Sequence, residues 1–155
     1  MPTTRRTPLG ATLGGLAAGA AGTGVMTAAQ TAYMKASGGE ASTTPAEVGK
    51  RIIRGVFQRE VDEARTEQLN NAMHWLYGTS WGAVYGITAG GRHARALRSG
   101  LLFGLGVWGA SLVHLPAMGL APPVWEYSPA SIAPDLGFHL VYGIGVAAAY
   151  KAVER

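Results

Sequence analysis

Three histidines and one aspartate carry most of the chemistry available to this 155-residue chain. His74 opens one apolar stretch, His114 closes the next, and Asp135 and His139 stand one helical turn apart at the head of the last. At that spacing a carboxylate can fix the tautomer of an imidazole or hold its proton, and an imidazole changes charge near neutral pH. Ionisable groups inside a membrane span are costly, so they turn toward a bundle interior, a cavity or a partner. The four therefore make up the candidate polar site. Three uses compete for it. A path for protons or small solutes would use Asp135 and His139 as titrating groups. A metal or haem site would use two or three imidazoles, although no spacing matches a ligand motif. Hydrogen bonding between neighbouring helices would need no ligand at all. His93, among arginines, reads as a surface residue.

The elements that must position these residues follow from charge placement. All 13 Lys and Arg and all nine Asp and Glu fall outside four stretches, Thr7 to Met34, Asn70 to Gly91, Ser99 to Trp125 and Leu136 to Tyr150. An α-helix crosses a hydrocarbon core about 30 Å thick with about 20 predominantly apolar residues. The expected spans are therefore roughly residues 9–33, 71–90, 99–117 and 132–152, the last taking in Asp135. The fold class is all-α, an integral membrane four-helix bundle with one amphipathic surface helix between spans one and two. Residues 1–155 form a single membrane domain, since one bundle uses nearly the whole length. With no cysteine, the chain can form neither disulfides nor thiolate metal sites. Its net charge of +4 is spent on topology rather than on nucleic acid.

Arg92, His93, Arg95 and Arg98 lie between spans two and three without an acid, whereas the loop after span three carries Glu126 and no base. By the positive-inside rule the first connection is cytoplasmic, and an even number of spans places both termini there too. Arg5, Arg6, Lys151 and Arg155 suit that side. The connection Lys35 to Leu69 dissents, with six Lys or Arg against seven for the whole inside. Arg5 and Arg6 before an apolar run also resemble a signal peptide, but the run exceeds the 7 to 15 residues typical of one, so a retained first helix is expected.

Local signals fill in the rest. Thr44 as cap, Pro45 in the first turn and Glu47 reaching back predict a helix over about 45–68, with Val48, Ile52, Val56 and Phe57 as its apolar stripe. Glu47 with Arg51 and Arg59 with Glu63 are its expected ion pairs. Gly78, Gly82, Gly86 and Gly90 recur every fourth residue, a groove into which another helix or subunit can pack closely. Trp75, Tyr77, Trp125 and Tyr127 fall where an aromatic belt would sit. Pro116, Met118, Gly119, Pro122 and Pro123 predict a rigid loop over the mouth of the bundle, with Ser131 capping the final helix. Phosphate-cradling, zinc-protease and serine-hydrolase motifs are absent.

The segment Leu115-Pro116-Ala117-Met118-Gly119-Leu120-Ala121-Pro122-Pro123-Val124-Trp125, followed by Asp135-Leu136-Gly137-Phe138-His139, resembles the YagU-like family of small bacterial inner-membrane proteins. His114 stands at a different distance from the proline than the comparable family histidine, whereas Asp135 and His139 match in spacing. The resemblance implies a bacterial inner-membrane protein of about four helices with no established activity. The expected function is accordingly non-catalytic, an accessory or assembly subunit of a larger envelope complex. Its partners would be the lipid bilayer and other membrane subunits or further copies, with no resident cofactor. The alternatives are a small proton-linked or small-solute transporter using Asp135 and His139, and a membrane protein binding haem or metal through its histidines.

Overall fold

The computed structural model describes residues 7–89 and 96–153, and every regular element among them is helical. The helices are α1 (Pro8–Ser37), α2 (Thr44–Phe57), α3 (Thr66–Ala89), α4 (Ala96–Ala117) and α5 (Pro129–Val153). Gly90 and His93 lie outside the described residues, as do Arg5, Arg6, Arg92, Arg95 and Arg155. Helix α1 starts where Thr7 accepts a hydrogen bond from the Gly10 amide at 3.2 Å, and it stops where Gly38 turns left-handed at φ 70°. Three helices, α1, α4 and α5, are long and apolar enough to cross a membrane. Helix α3 has the length, at 24 residues, but its first turns spend it on Glu67, Gln68, Asn70, Asn71 and His74.

The amphipathic segment departs from the single helix expected over 45–68. Helix α2 ends at Phe57, Gln58 closes it in the left-handed region at φ 51°, and the chain restarts at a 3-10 turn, Glu63–Arg65, that feeds α3. Ion pairing across the turn holds the break. Arg54 meets Glu60 at 2.8 Å, and Lys50 reaches both Glu47 at 3.2 Å and Glu63 at 3.1 Å. Arg54 thereby holds the Glu60 carboxyl below its ordinary pKa. The expected Glu47–Arg51 and Arg59–Glu63 pairings are replaced: Glu47 and Glu63 both turn to Lys50, and Arg51 donates to the Met118 carbonyl in the α4–α5 loop.

The start of α2 is also satisfied from afar. Thr43, at the N-cap, makes no side-chain capping bond, and Thr44 is already helical. Asn70 of α3 does the work instead, accepting from the Ala46 amide at 3.0 Å and donating to the Ser42 carbonyl at 3.0 Å. Ala46 and Gly49 are buried, and a Cβ on Gly49 would lie 2.8 Å from Met73 Cγ, so α2 is seated on α3.

The glycine row of α3 packs within the chain, against α1. A Cβ added to Gly78 would overlap the Thr23 hydroxyl, one on Gly82 the Gly15 carbonyl, and one on Gly86 the Ala11 carbonyl. From the other side, a Cβ on Gly19 would lie 2.8 Å from the Gly78 carbonyl oxygen. The descending numbers on one helix against ascending numbers on the other make the pair antiparallel. Helices α4 and α5 repeat the arrangement, with Gly100 and Gly104 against Gly143 and the His139 backbone. Where α3 faces α4 the gap is filled by rings: Phe103 lies 5.0 Å from Tyr85 and 6.3 Å from Trp81 between centroids, and Tyr85 lies 5.6 Å from Tyr150.

Two bonds register α5 on α3. Tyr142 donates to the Gly78 carbonyl at 2.6 Å and Tyr150 to the Gly86 carbonyl at 3.2 Å, so equal steps along both helices keep the same partner row. Interhelical bonds of this kind in membranes average about 0.6 kcal/mol. Packing therefore carries more of the fold than they do.

Two substitutions separate packing from composition. Gly82→Leu should lower the thermal midpoint of the purified protein sharply, corresponding to about 3 kcal/mol or more of overpacking. Gly106→Ala, whose new methyl meets open space, should be neutral or raise stability by up to about 1 kcal/mol. Thermal unfolding in detergent followed by circular dichroism checks both.

Candidate functional site

His74, His114, Asp135 and His139 all line one cavity of about 650 Å³. It opens between the C-terminal half of α1, the N-terminal half of α3, the end of α4 and the start of α5. Residues from Ala41 to Val48 and from Leu120 to Tyr127 help enclose it at that end of the helices. The antiparallel order of the helices is what gathers the four residues at one level.

In their neutral forms, two imidazoles have the tautomer that their hydrogen-bond partners favour. Thr27 gives its single hydroxyl proton to the Thr23 carbonyl at 2.9 Å, so at 3.2 Å from His74 Nε2 its oxygen accepts. His74 then carries its proton on Nε2 and leaves Nδ1 as an acceptor. His139 Nδ1 lies 2.8 Å from the Asp135 carbonyl oxygen, which can only accept, and 3.6 Å from Asp135 Oδ1. His139 is therefore the opposite tautomer, protonated on Nδ1 with Nε2 as the acceptor. Trp108 of α4 donates to Asp135 Oδ2 at 2.8 Å and fixes the carboxylate from across the helix pair. His114 is placed by a ring contact with Tyr77, 5.8 Å between centroids.

The loop that helps close the cavity is built by α4's ending. Gly119, at φ 66°, sends its amide to the Pro116 carbonyl at 2.8 Å while Leu120 returns to the Leu115 carbonyl at 2.9 Å, the paired bonds of a Schellman stop. Pro116 has no N–H to offer the Leu112 carbonyl, and both residues line the cavity. Met118 is tied to Arg51 of α2 through its carbonyl, Pro122 lines the wall, and Pro123 begins a 3-10 turn, Val124–Glu126. The final helix starts earlier than expected. Ser128, not Ser131, stands before it, accepting from the Ile132 amide at 3.1 Å through its carbonyl and from the Ser131 amide at 3.3 Å through its hydroxyl.

Several wall residues carried no weight in the sequence reading. Thr23, Thr27 and Thr31 recur every fourth residue on α1, each donating back to the carbonyl four residues earlier, and all three line the cavity. That periodicity is the signal that could have found them. Trp108 gave no such signal, because its bond to Asp135 depends on where α5 lies. Tyr77 and Tyr127, expected in an aromatic belt, face the cavity instead, whereas Trp125 is 80% exposed. Among the described residues no group of three or more His, Asp or Glu could hold a metal ion. No family model matches the chain, and no curated protein or solved structure proved similar to it.

The tautomers are directly measurable. In ¹⁵N-labelled protein at a pH where both rings are neutral, imidazole NMR should show His139 protonated on Nδ1 and His74 on Nε2. Thr27→Val should alter the His74 signals and leave those of His139 in place.

Proposed function

We propose that the chain is a four-span protein of a bacterial inner membrane, of the YagU-like kind, that takes a small solute into the cavity at its outer end as part of a transport path. The single observation behind this reading is that ionisable residues from α3, α4 and α5 and a threonine row from α1 line one cavity, whose volume lies in the range of small-molecule sites. In this reading α3 is the fourth span, its polar first turns lying at the cavity end, and the arginines around Arg98 keep both termini cytoplasmic. Asp135 and His139 are the binding groups. The ring layer of Tyr85, Phe103, Tyr142 and Tyr150 lies beneath them and closes the path on the cytoplasmic side.

An accessory or assembly role is the second reading. Ile52 at 43%, Val56 at 68% and Phe57 at 65% exposure on α2 favour it, since a partner or the lipid surface would cover them. The glycine row, packed on α1, leaves that face of α3 with no need of another subunit.

The chain has no cysteine, so single cysteines report accessibility without background. Ser111→Cys and Thr31→Cys should react with a membrane-impermeant maleimide added outside intact cells, whereas Leu102→Cys, on an exposed apolar flank, should not. A cysteine at Arg92 should react only once the cytoplasm is opened. An unreactive Ser111→Cys beside a reactive Thr31→Cys would remove the solute cavity. If the protein purified in mild detergent also runs as a stoichiometric complex with another protein, the assembly role stands in its place.

A further inference from the structure

The wall of the cavity is chemically one-sided. Its formal charges are Asp135 and Glu67, and no Lys or Arg among the described residues lines it, in a chain that holds 13 of them and a net charge of +4. Two basic residues of α2, whose first turn lines the cavity, are engaged elsewhere: Lys50 is paired with Glu47 and Glu63, and Arg51 is bound to the Met118 carbonyl. When neutral, the two anchored imidazoles turn acceptor nitrogens away from these bonds, Nδ1 of His74 and Nε2 of His139, because their N–H groups donate to Thr27 and to the Asp135 carbonyl. The Leu112 carbonyl lacks its helical donor beside Pro116. Trp108 occupies Oδ2 of the half-exposed Asp135 side chain and leaves Oδ1, 3.6 Å from His139 Nδ1, for a further donor. Rings of Tyr77, Trp108 and Tyr142 share the wall, and aromatic faces attract cations.

An anion entering this space meets like charge and lone pairs. A cation bearing N–H groups meets an open carboxylate oxygen, acceptor nitrogens and ring faces. Resting on the reading of the cavity as a solute site, we infer that its solute is a small organic ammonium, a protonated amine on an apolar body. The amine is held at Asp135 beside His139. The body lies against apolar lining such as that of Met26, Met73 and Val107. The ammonium can belong to a free amine or to the headgroup of a lipid such as phosphatidylethanolamine, and the chemistry of recognition is the same.

Titration calorimetry of the full chain in phosphatidylcholine nanodiscs, corrected with empty discs, compares three probes of one shape: phenethylammonium, 2-phenylethanol and 3-phenylpropionate. The ammonium should bind at least tenfold more tightly than either of the others. Asp135→Asn should erase that preference, and Asp135→Glu should retain it, which guards against a fold defect in the first variant. Weaker ammonium binding in discs containing phosphatidylethanolamine assigns the site to the lipid headgroup, and equal binding assigns it to a free amine. Equal affinity for the alcohol, or preference for the carboxylate, overturns the ammonium assignment while leaving a solute cavity. If none of the three binds, the solute reading fails with it.

Discussion

The rest of the structure depends on how closely α1 can approach α3. In a membrane the hydrophobic effect does not drive helices together, because lipid tails are as apolar as leucine, so dispersion contacts between close backbones must do so. Gly15 and Gly19 on one helix and Gly82 and Gly86 on the other bring backbone carbonyls against Cα atoms, and Gly78 makes room for the Thr23 side chain. Close contact at the glycine end of α1 also sets where its other end goes. Thr23 and Thr27, one and two turns beyond Gly19, come opposite Gly78 and His74.

That seam explains the cavity by contrast. The side chains grow from glycine to threonine, methionine and glutamine toward the end of α1, and on α3 from glycine to tyrosine, histidine and asparagine. Polar residues line the space there. On the facing side α4 and α5 are joined by their own glycines at Gly100, Gly104 and Gly143, so Trp108 and Asp135 meet across a short gap. Helix α2 and the Met118 loop then brace each other over the same end through Arg51. Tight packing at one end and polar bulk at the other are two consequences of one gradient in side-chain size.

The sequence made much of this legible. Helical content, the charge-free stretches and a loop after Pro116 could be read from neighbours within a few turns, and the shared level of His74, His114, Asp135 and His139 from the order of the spans. Where the reading failed, distant residues had taken over a local role. Thr44 and Glu47 form a capping pattern, yet Asn70 caps α2. Arg59 and Glu63 suit a continuous helix, yet Lys50 draws Glu63 back across a turn. Ser131 looks like the start of α5, but Ser128 competes for it and is helped by Pro129, whose missing N–H costs nothing in a first turn.

By itself, then, the sequence determined that the chain is helical, where its charge-free stretches lie and which ionisable residues sit near their ends, whereas of the four spans expected three helices, α1, α4 and α5, are long and apolar enough to cross a membrane. Those properties follow from backbone hydrogen bonding and the hydropathy of contiguous residues. Tertiary structure alone decided that the glycine row meets α1, that Trp108 holds Asp135, and that Thr27 stands against His74. Each of those is a contact between residues far apart in the chain, and its geometry exists only once the helices have been brought side by side.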